Sequence, residues 1–367
     1  MKLLSDRRIL THFDFFILVI ILPIIVISNY LISEVSPMLA QKQLFHFLAG
    51  FVAFFIFFLI PIRKIQWIIP FFYWLSIALL LAVEFIGITK LGAQRWLEIP
   101  IVHLTLQPSE IVKPAFILML AYLIIQNPPP KNGYEWKDFL KISAYIIIPF
   151  VLILKQPDLG TALILLAIGA GVLFVIGVNK KIWISLIVLG TIATPLLYGT
   201  MHDYQKKRIS DFLGEKPSYH VQQSVIAIGS GGITGKDRSE ATQAQLKFLP
   251  IATSDFIFAY FVERFGFLGA FVLLSLYLLL IAHLVGYFIS LKGDYFAQVV
   301  VISLALMVFF YTTINIAMTI GLAPVVGIPL PFFSYGGSSF VTFMILLGII
   351  ENLLAFRFNF LYNSNSF

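Results

Sequence analysis

Ser254-Asp255-Phe256-Ile257-Phe258-Ala259 puts an acidic residue where a polar stretch turns back into an apolar run. Upstream lies the long polar segment of the chain, from about 202 to 255. Downstream, residues 256–291 are apolar enough to cross a bilayer. A carboxylate at such a border meets water, lipid headgroups and helix interior together. An ionisable group there is costly to bury and is a candidate for function.

Working outward, apolar runs recur on both sides. The chain has 367 residues, 59% of them hydrophobic and 12% charged. Soluble domains are about 45–50% apolar and about 25% charged. A soluble fold cannot hide this much apolar surface, because surface falls too slowly with size. The runs are long and continuous, whereas a β-barrel shows short alternating segments. The fold class read from the sequence is therefore an all-α polytopic membrane protein. The net charge of +7 does not point to nucleic acid, since Lys and Arg are scattered among the apolar runs. Without a cysteine there is no disulfide, thiolate metal site or cysteine nucleophile. The first run, 15–32, is too long for a signal-peptide core and reads as an uncleaved span.

A span needs roughly 20 mostly apolar residues, and about ten candidates result. They lie near 15–32, 44–60, 67–86, 109–126, 142–154, 160–178, 182–200, 256–291, 297–320 and 337–356. With the N-terminus inside, the short inner segments hold Lys2, Arg7, Arg8, Arg63, Lys64, Lys131, Lys137, Lys141, Lys180, Lys181, Lys292 and Arg357. The short outer loops hold Lys42, Lys90 and Arg95. Basic residues favour the cytoplasmic side, so both termini are expected inside. The large loop between the seventh and eighth spans, 202–255, is then extracytoplasmic, within a single transmembrane domain covering 1–367. Polar sequence gathers on that outer face, where no ATP is available.

Five constellations carry chemistry. Gly92-Ala93-Gln94-Arg95-Trp96 precedes Gln107-Pro108-Ser109-Glu110-Ile111-Val112-Lys113, in which Ser109 reads as a helix N-cap. Glu110 and Lys113 share one helix face at i, i+3, as an internal ion pair or as a cation site for a phosphate headgroup. Lys155-Gln156-Pro157-Asp158 reads as a turn with a capping aspartate that can also orient a cation. The Gly-rich stretch 227–236 reads as a flexible loop or as amides wrapping a diphosphate, although it lacks P-loop spacing. Asp255 reads either as a helix N-cap or as a general base or cation ligand, and desolvation would make it a stronger base. Residues 321–339 carry prolines and glycines at a density no regular helix accepts. They read as a re-entrant loop walling a cavity. The histidines show no metal-ligand spacing.

In their order along the chain, GAQRW, QPSE-x-x-K, QPDLGTA, AIGSGG, SDFIFA and GIPLPFFSYGGSS resemble the SEDS family (shape, elongation, division and sporulation) over nearly the whole length. Gly232-Ile233-Thr234-Gly235-Lys236 and the short tails are more similar to its elongation-type members than to its division-type members. The resemblance implies a peptidoglycan glycosyltransferase of the inner membrane. Such enzymes polymerise lipid II on the outer face and release undecaprenyl diphosphate. The family's catalytic aspartate falls on Asp255, its helix cation on Lys113 and its Arg-Trp pair on Arg95 and Trp96. Glu110, Asp158, Arg208, Ser334 and Ser338 are further substrate-binding candidates. A divalent cation, Mg or Mn, with Asp255 as a possible ligand, is expected to supply part of the charge the diphosphate needs, since no cluster of cations is evident, and the chain carries no nucleotide motif. Expected partners are a class B penicillin-binding protein and other membrane proteins of the elongation machinery, not nucleic acid. Alternatives are a lipid II flippase and a non-catalytic scaffold. The chain departs from the family pattern at Ile251, where a glutamate is usual, and at Ser254, which replaces a threonine. Ala317 and Val326 replace a glycine and a threonine, and the stretch 212–219 is short.

Overall fold

In lipid every backbone polar group needs an internal partner, so long apolar runs fold as helices. The computed structural model describes residues 13–90, 93–99, 104–201, 203–214, 218–241 and 252–356. Helix α1 is Phe15–Val35, opened by Asp14, whose carboxylate accepts from the Phe16 amide at 2.9 Å. Ser36 ends α1 and caps α2, Pro37–Leu59, with proline at its first position. A 3-10 segment, Ile62–Ile68, leads into α3, Ile69–Ile86. Then come α4 (Pro108–Gln126), α5 (Trp136–Lys155), α6 (Leu159–Ile176) and α7 (Lys180–Thr200). The polar segment contributes α8 (Asp203–Leu213) and α9 (Tyr219–Ser230). The chain closes with α10 (Ile257–Ser290), α11 (Tyr295–Thr319) and α12 (Gly337–Ala355).

Each expected apolar run is a helix. Among the described residues, eight helical stretches are long and apolar enough to cross a membrane. Helices α5 and α7 are outside that set, and α5 carries Lys137, Asp138, Lys141 and Lys155 in its 20 residues. The molecule is a helical multi-pass membrane protein. Helix α11 is its axis, packed by α10, α4, α6 and α12 and buried along most of its length. The longest seam joins α12 to α2.

Three features depart from the expected outline. The stretch after α3 is a three-stranded antiparallel sheet rather than a loop: β1 (Ile88–Lys90), β2 (Ala93–Ile99) and β3 (Leu104–Leu106). Its pairings include Trp96 with Ile88, Leu97 with Leu106 and Glu98 with Thr105. Arg95, Leu97 and Ile99 alternate with Gln94, Trp96 and Glu98, the period of two that a strand needs. The segment 202–255 is partly helical. The Gly-rich stretch lies against α10, which breaks at Gly266 with φ +64°. The break leaves α10 amides without helical partners. Gly232 accepts from Phe267 N at 2.9 Å and Ile233 accepts from Leu268 N at 3.1 Å. These carbonyls mend a broken helix, a structural role for a stretch that sequence offered to a diphosphate. Lys2, Arg7, Arg8, His12, Lys207's side chain, Ile251 and Arg357 lie outside the described residues.

Candidate active site

Asp255 does not cap a helix. Helix α10 starts at Ile257 with Phe256 at its cap position and no side-chain cap bond. The aspartate sits instead in a non-helical stretch, 252–256, pinned to the proline-rich loop 321–336. Tyr335 N donates to Thr253 O at 2.8 Å, and Ser334 Oγ donates to Ser254 O at 2.7 Å. Asn315, fully buried on α11, donates through its amide to Asp255 O at 3.0 Å and to Ile328 O at 2.6 Å. One side chain thus braces both strands.

The loop itself is buried at Ile328 and from Leu330 to Ser334, without regular structure. Its carbonyls take donors from neighbouring helices, as buried backbone must. Ser28 of α1 donates to Phe333 O and Tyr277 of α10 to Pro331 O, each at 2.5 Å. Gly327 has φ +70°, and a Cβ there would stand 3.5 Å from Asp255 Oδ2. Glycine is what lets the loop approach the carboxylate in that conformation. Burial raises the Asp255 pKa above the ordinary carboxylate value. The Ser254 hydrogen bond and the nearby Arg208 charge pull it partway back.

Next to the loop lies a second charged group. A Cβ on Gly160 would be 2.8 Å from Val326 O, so the start of α6 abuts the loop. Asp158 caps α6, accepting from Thr161 N at 3.4 Å, and pairs with Arg95 at 3.7 Å. Arg95 also donates to Gln156 O at 3.1 Å and to Pro157 O, locking β2 onto the α5–α6 turn. Lys113, almost fully buried on α4, pairs with Glu110 at 2.6 Å and sits 5.2 Å from the Tyr311 ring centre. Thr342 of α12 donates to Glu110 Oε2 at 3.1 Å.

Glu110 also lines a cavity of about 940 Å³ between α2, α3, α4 and α12. Its polar end carries His46, Gln107, Glu110, Ser338 and Thr342, and the rest of its wall is largely aliphatic and aromatic. Arg95 with Asp158 meets the loop where Gly160 abuts Val326, and Asp255 meets it at Gly327.

This arrangement can be set beside known proteins. The cell cycle protein family model that covers FtsW, RodA and SpoVE matches residues 4–358. The chain belongs to the FtsW/RodA/SpoVE family. A peptidoglycan glycosyltransferase MrdB of Helicobacter pylori is 57% identical over 360 residues, covering 98% of this chain and 94% of that protein. The crystal structure of the rod shape determining protein RodA of Thermus thermophilus matches with a TM-score of 0.71 at 26% identity, covering 94% of this chain and 98% of the other. A chain from a peptidoglycan synthase complex, described as coordinating polymerization and crosslinking, matches with a TM-score of 0.82 at 24% identity over 94% and 98% of the two chains. The fold is shared with both.

Within this FtsW/RodA/SpoVE fold, the other sequence candidates fall as follows. Trp96 is half-buried in β2 beside Arg95. Ser334 uses its hydroxyl inside the loop, accepting from Leu330 N at 2.7 Å while donating to Ser254. Ser338 lines the cavity, and its carbonyl accepts from Thr342. Ser109 is one residue inside α4 rather than its cap, which is Gln107. Sequence reasoning missed the role of Tyr311, whose type and position gave no signal on an apolar helix. It also missed Glu34, an acid at the end of the first span that its charge alone marks. No group of three or more His, Asp or Glu side chains able to hold a metal occurs among the described residues.

Proposed function

We propose that this protein is a peptidoglycan glycosyltransferase that polymerises lipid II into glycan strands during cell elongation. The observation that carries the reading is Asp255: a half-buried carboxylate with raised pKa, free of any helix-capping duty and held by backbone braces at the border of a membrane helix. Its relationship to glycosyltransferases that match nearly end to end supports the same activity. In the reaction a sugar 4-hydroxyl oxygen attacks the anomeric carbon of a lipid-linked chain. The bond from that carbon to the diphosphate breaks, and undecaprenyl diphosphate leaves with the electron pair. Asp255 takes the hydroxyl proton, and a base whose pKa is moved toward the working pH does so more effectively.

Cations are needed where the diphosphate departs, and this electrostatic contribution is usually the largest. Lys113, Arg95 and Arg208 are the candidates, with Glu110 and Asp158 orienting the first two. Trp96, Ser334 and Ser338 complete the proposed substrate-binding set. Alternatively Asp255 would serve as ligand to a divalent cation, Mg or Mn, in place of its role as base, and the cation would supply positive charge to neutralise the leaving group. The apolar wall of the 940 Å³ cavity suits a lipid tail, with its polar end toward the headgroup. Energy comes from the lipid diphosphate bond, so no nucleotide is required. The active face is extracytoplasmic in the inner membrane, with both termini inside and about ten spans, a reading supported by the bias of basic residues toward the short inner segments. The partner is a class B penicillin-binding protein, consistent with the fold shared with a synthase complex chain.

The test gives lipid II to purified protein carrying Asp255→Ala. Glycan formation should fall by at least about 100-fold, the scale of a lost general base, with thermal stability retained. Full strand elongation by that variant sinks the assignment. The cavity also runs from the Ile62–Ile68 turn up to Gln107, which suits a flippase. Flipping of labelled lipid II in proteoliposomes, unaffected by Asp255→Ala and without polymer, would favour that second reading.

A further inference from the structure

A second polar pocket, of about 750 Å³, opens where the last turn of α1 meets the first part of α10 and the residues after the Gly-rich stretch. It shares no lining residue with the larger cavity. We infer that this pocket, lined by Tyr30, Ser33, Glu34, Asp237, Arg238 and Arg264, is a subsite for the carbohydrate of the growing glycan strand. The inference rests on the polymerase reading above.

Position comes first. The pocket is at the Asp255 end of the bundle, because Ser28, two residues before Tyr30, already bonds to the 321–336 loop. Arg264 is seven residues along α10 from Ile257, about 10 Å of helix rise. A strand leaving Asp255 would meet the pocket within its first few sugars. An enzyme that adds many sugars in succession needs to hold the product somewhere beyond the reacting carbon.

Chemistry narrows the ligand. The lining balances two carboxylates, Glu34 and Asp237, against two guanidiniums, Arg238 and Arg264. A balanced set gives no advantage to a diphosphate, which a cation cluster would favour. Among the described residues, this lining has no aliphatic wall of the kind a lipid tail requires. What remains is a hydroxyl-rich ligand of little net charge. The Tyr30 ring, 50% exposed, offers an apolar face for the C–H side of a sugar. Carboxylate, guanidinium and the Ser33 hydroxyl suit its hydroxyls. The volume falls within the roughly 300–1,000 Å³ range of small-ligand sites.

The wall is also preorganised. Arg264 meets Glu34 through two bonds, of 2.9 and 2.8 Å, and donates further to Lys236 O. Tyr260 donates to the same carboxylate at 2.7 Å, and Arg238 donates to Glu34 O at 2.7 Å. Tyr30 leans on Phe265 with ring centres 6.4 Å apart. Groups fixed before binding lose less freedom when the ligand arrives.

The experiment uses the full-length chain in nanodiscs supplied with lipid II. Wild type, Tyr30→Ala, Arg238→Ala and Tyr30→Phe are compared for initial lipid II consumption and for strand length. Both alanine variants should shorten the strands by about fivefold, the effect of one lost net contact, with initial consumption unchanged. Tyr30→Phe, which keeps the ring, should keep the length. Wild-type strand lengths in both alanine variants overturn the subsite. So do equal losses of rate and length, which would mean general damage. Unchanged lengths with loss of a co-purifying transpeptidase would mark the pocket as a protein interface and also overturn it. A wild-type chain that leaves lipid II unpolymerised fails the function reading itself, a separate result.

Discussion

The two halves of the candidate active site are built in opposite ways. Glu110 and Lys113 stand one turn apart on α4, so a single helix sets their 2.6 Å pairing. Asp255 is set by residues 60 to 80 positions away, through Asn315, Ser334 and the loop they brace. The helix-borne half should respond to changes in its own charges and ignore remote ones. The loop-borne half should lose its geometry when a distant brace is cut, even though its carboxylate is untouched.

Lys113→Ala attacks the helix-borne half and should have the largest effect on stability. It strands Glu110 in a buried setting, and breaking a buried pair from one side costs about 3–5 kcal/mol. The double variant Glu110→Leu with Lys113→Met should regain thermal stability yet remain inactive on lipid II. A single variant as stable as wild type would show that the pair is solvated.

Asn315→Ala sharpens the comparison from the loop side. Two carbonyls lose their donor, for about 1–3 kcal/mol. Activity should fall further than stability, toward about 100-fold, because small misplacements of a catalytic group are that costly. Equal activity in this variant would mean that the loop holds Asp255 without its brace.

Gly327→Val is milder. A side chain at φ +70° costs about 1–2 kcal/mol, and its Cβ would touch Asp255 Oδ2 at 3.5 Å. Lipid II turnover should drop while the helical circular dichroism is kept. Gly286→Ala, on a glycine with open space around it, is the control.

The smallest effect is on pH dependence. Asp255 must be ionised to accept a proton, and burial has raised its pKa. Activity should therefore fade on acidification at a higher pH than an ordinary carboxylate would give. Arg208 favours the ionised form, so Arg208→Ala should move that acid limb higher still, and Arg208→Lys should not. For stability the sign is reversed. The folded state holds the Asp255 proton more tightly than the unfolded chain. This contribution is full below the unfolded pKa and is lost as pH rises through the folded one.

Much of this was legible in the residues. The apolar runs matched the helices because a helix in lipid needs only length and composition. Glu110 with Lys113 was legible because i, i+3 spacing guarantees proximity on a helix. Asp158 as a cap followed from its place before an apolar run. The sheet at 88–106 was not anticipated, because its strands of three to seven residues are too short for alternation to stand out. The Gly-rich stretch left a flexible loop and a diphosphate-wrapping loop both open, because glycine permits many uses. Only the break at Gly266 showed which carbonyls it had to supply.

By itself the sequence determined a multi-pass helical protein, the polar border at Asp255, and the pairings that one helix can make within a turn. Tertiary structure alone decided that Asp255 is no helix cap, that Asn315 reaches both sides of the loop, and that Glu34 meets Arg264 across 230 positions. The physical reason is range. Spacing along a helix fixes contacts three or four residues away, whereas a contact between distant segments exists only once the helices between them have packed.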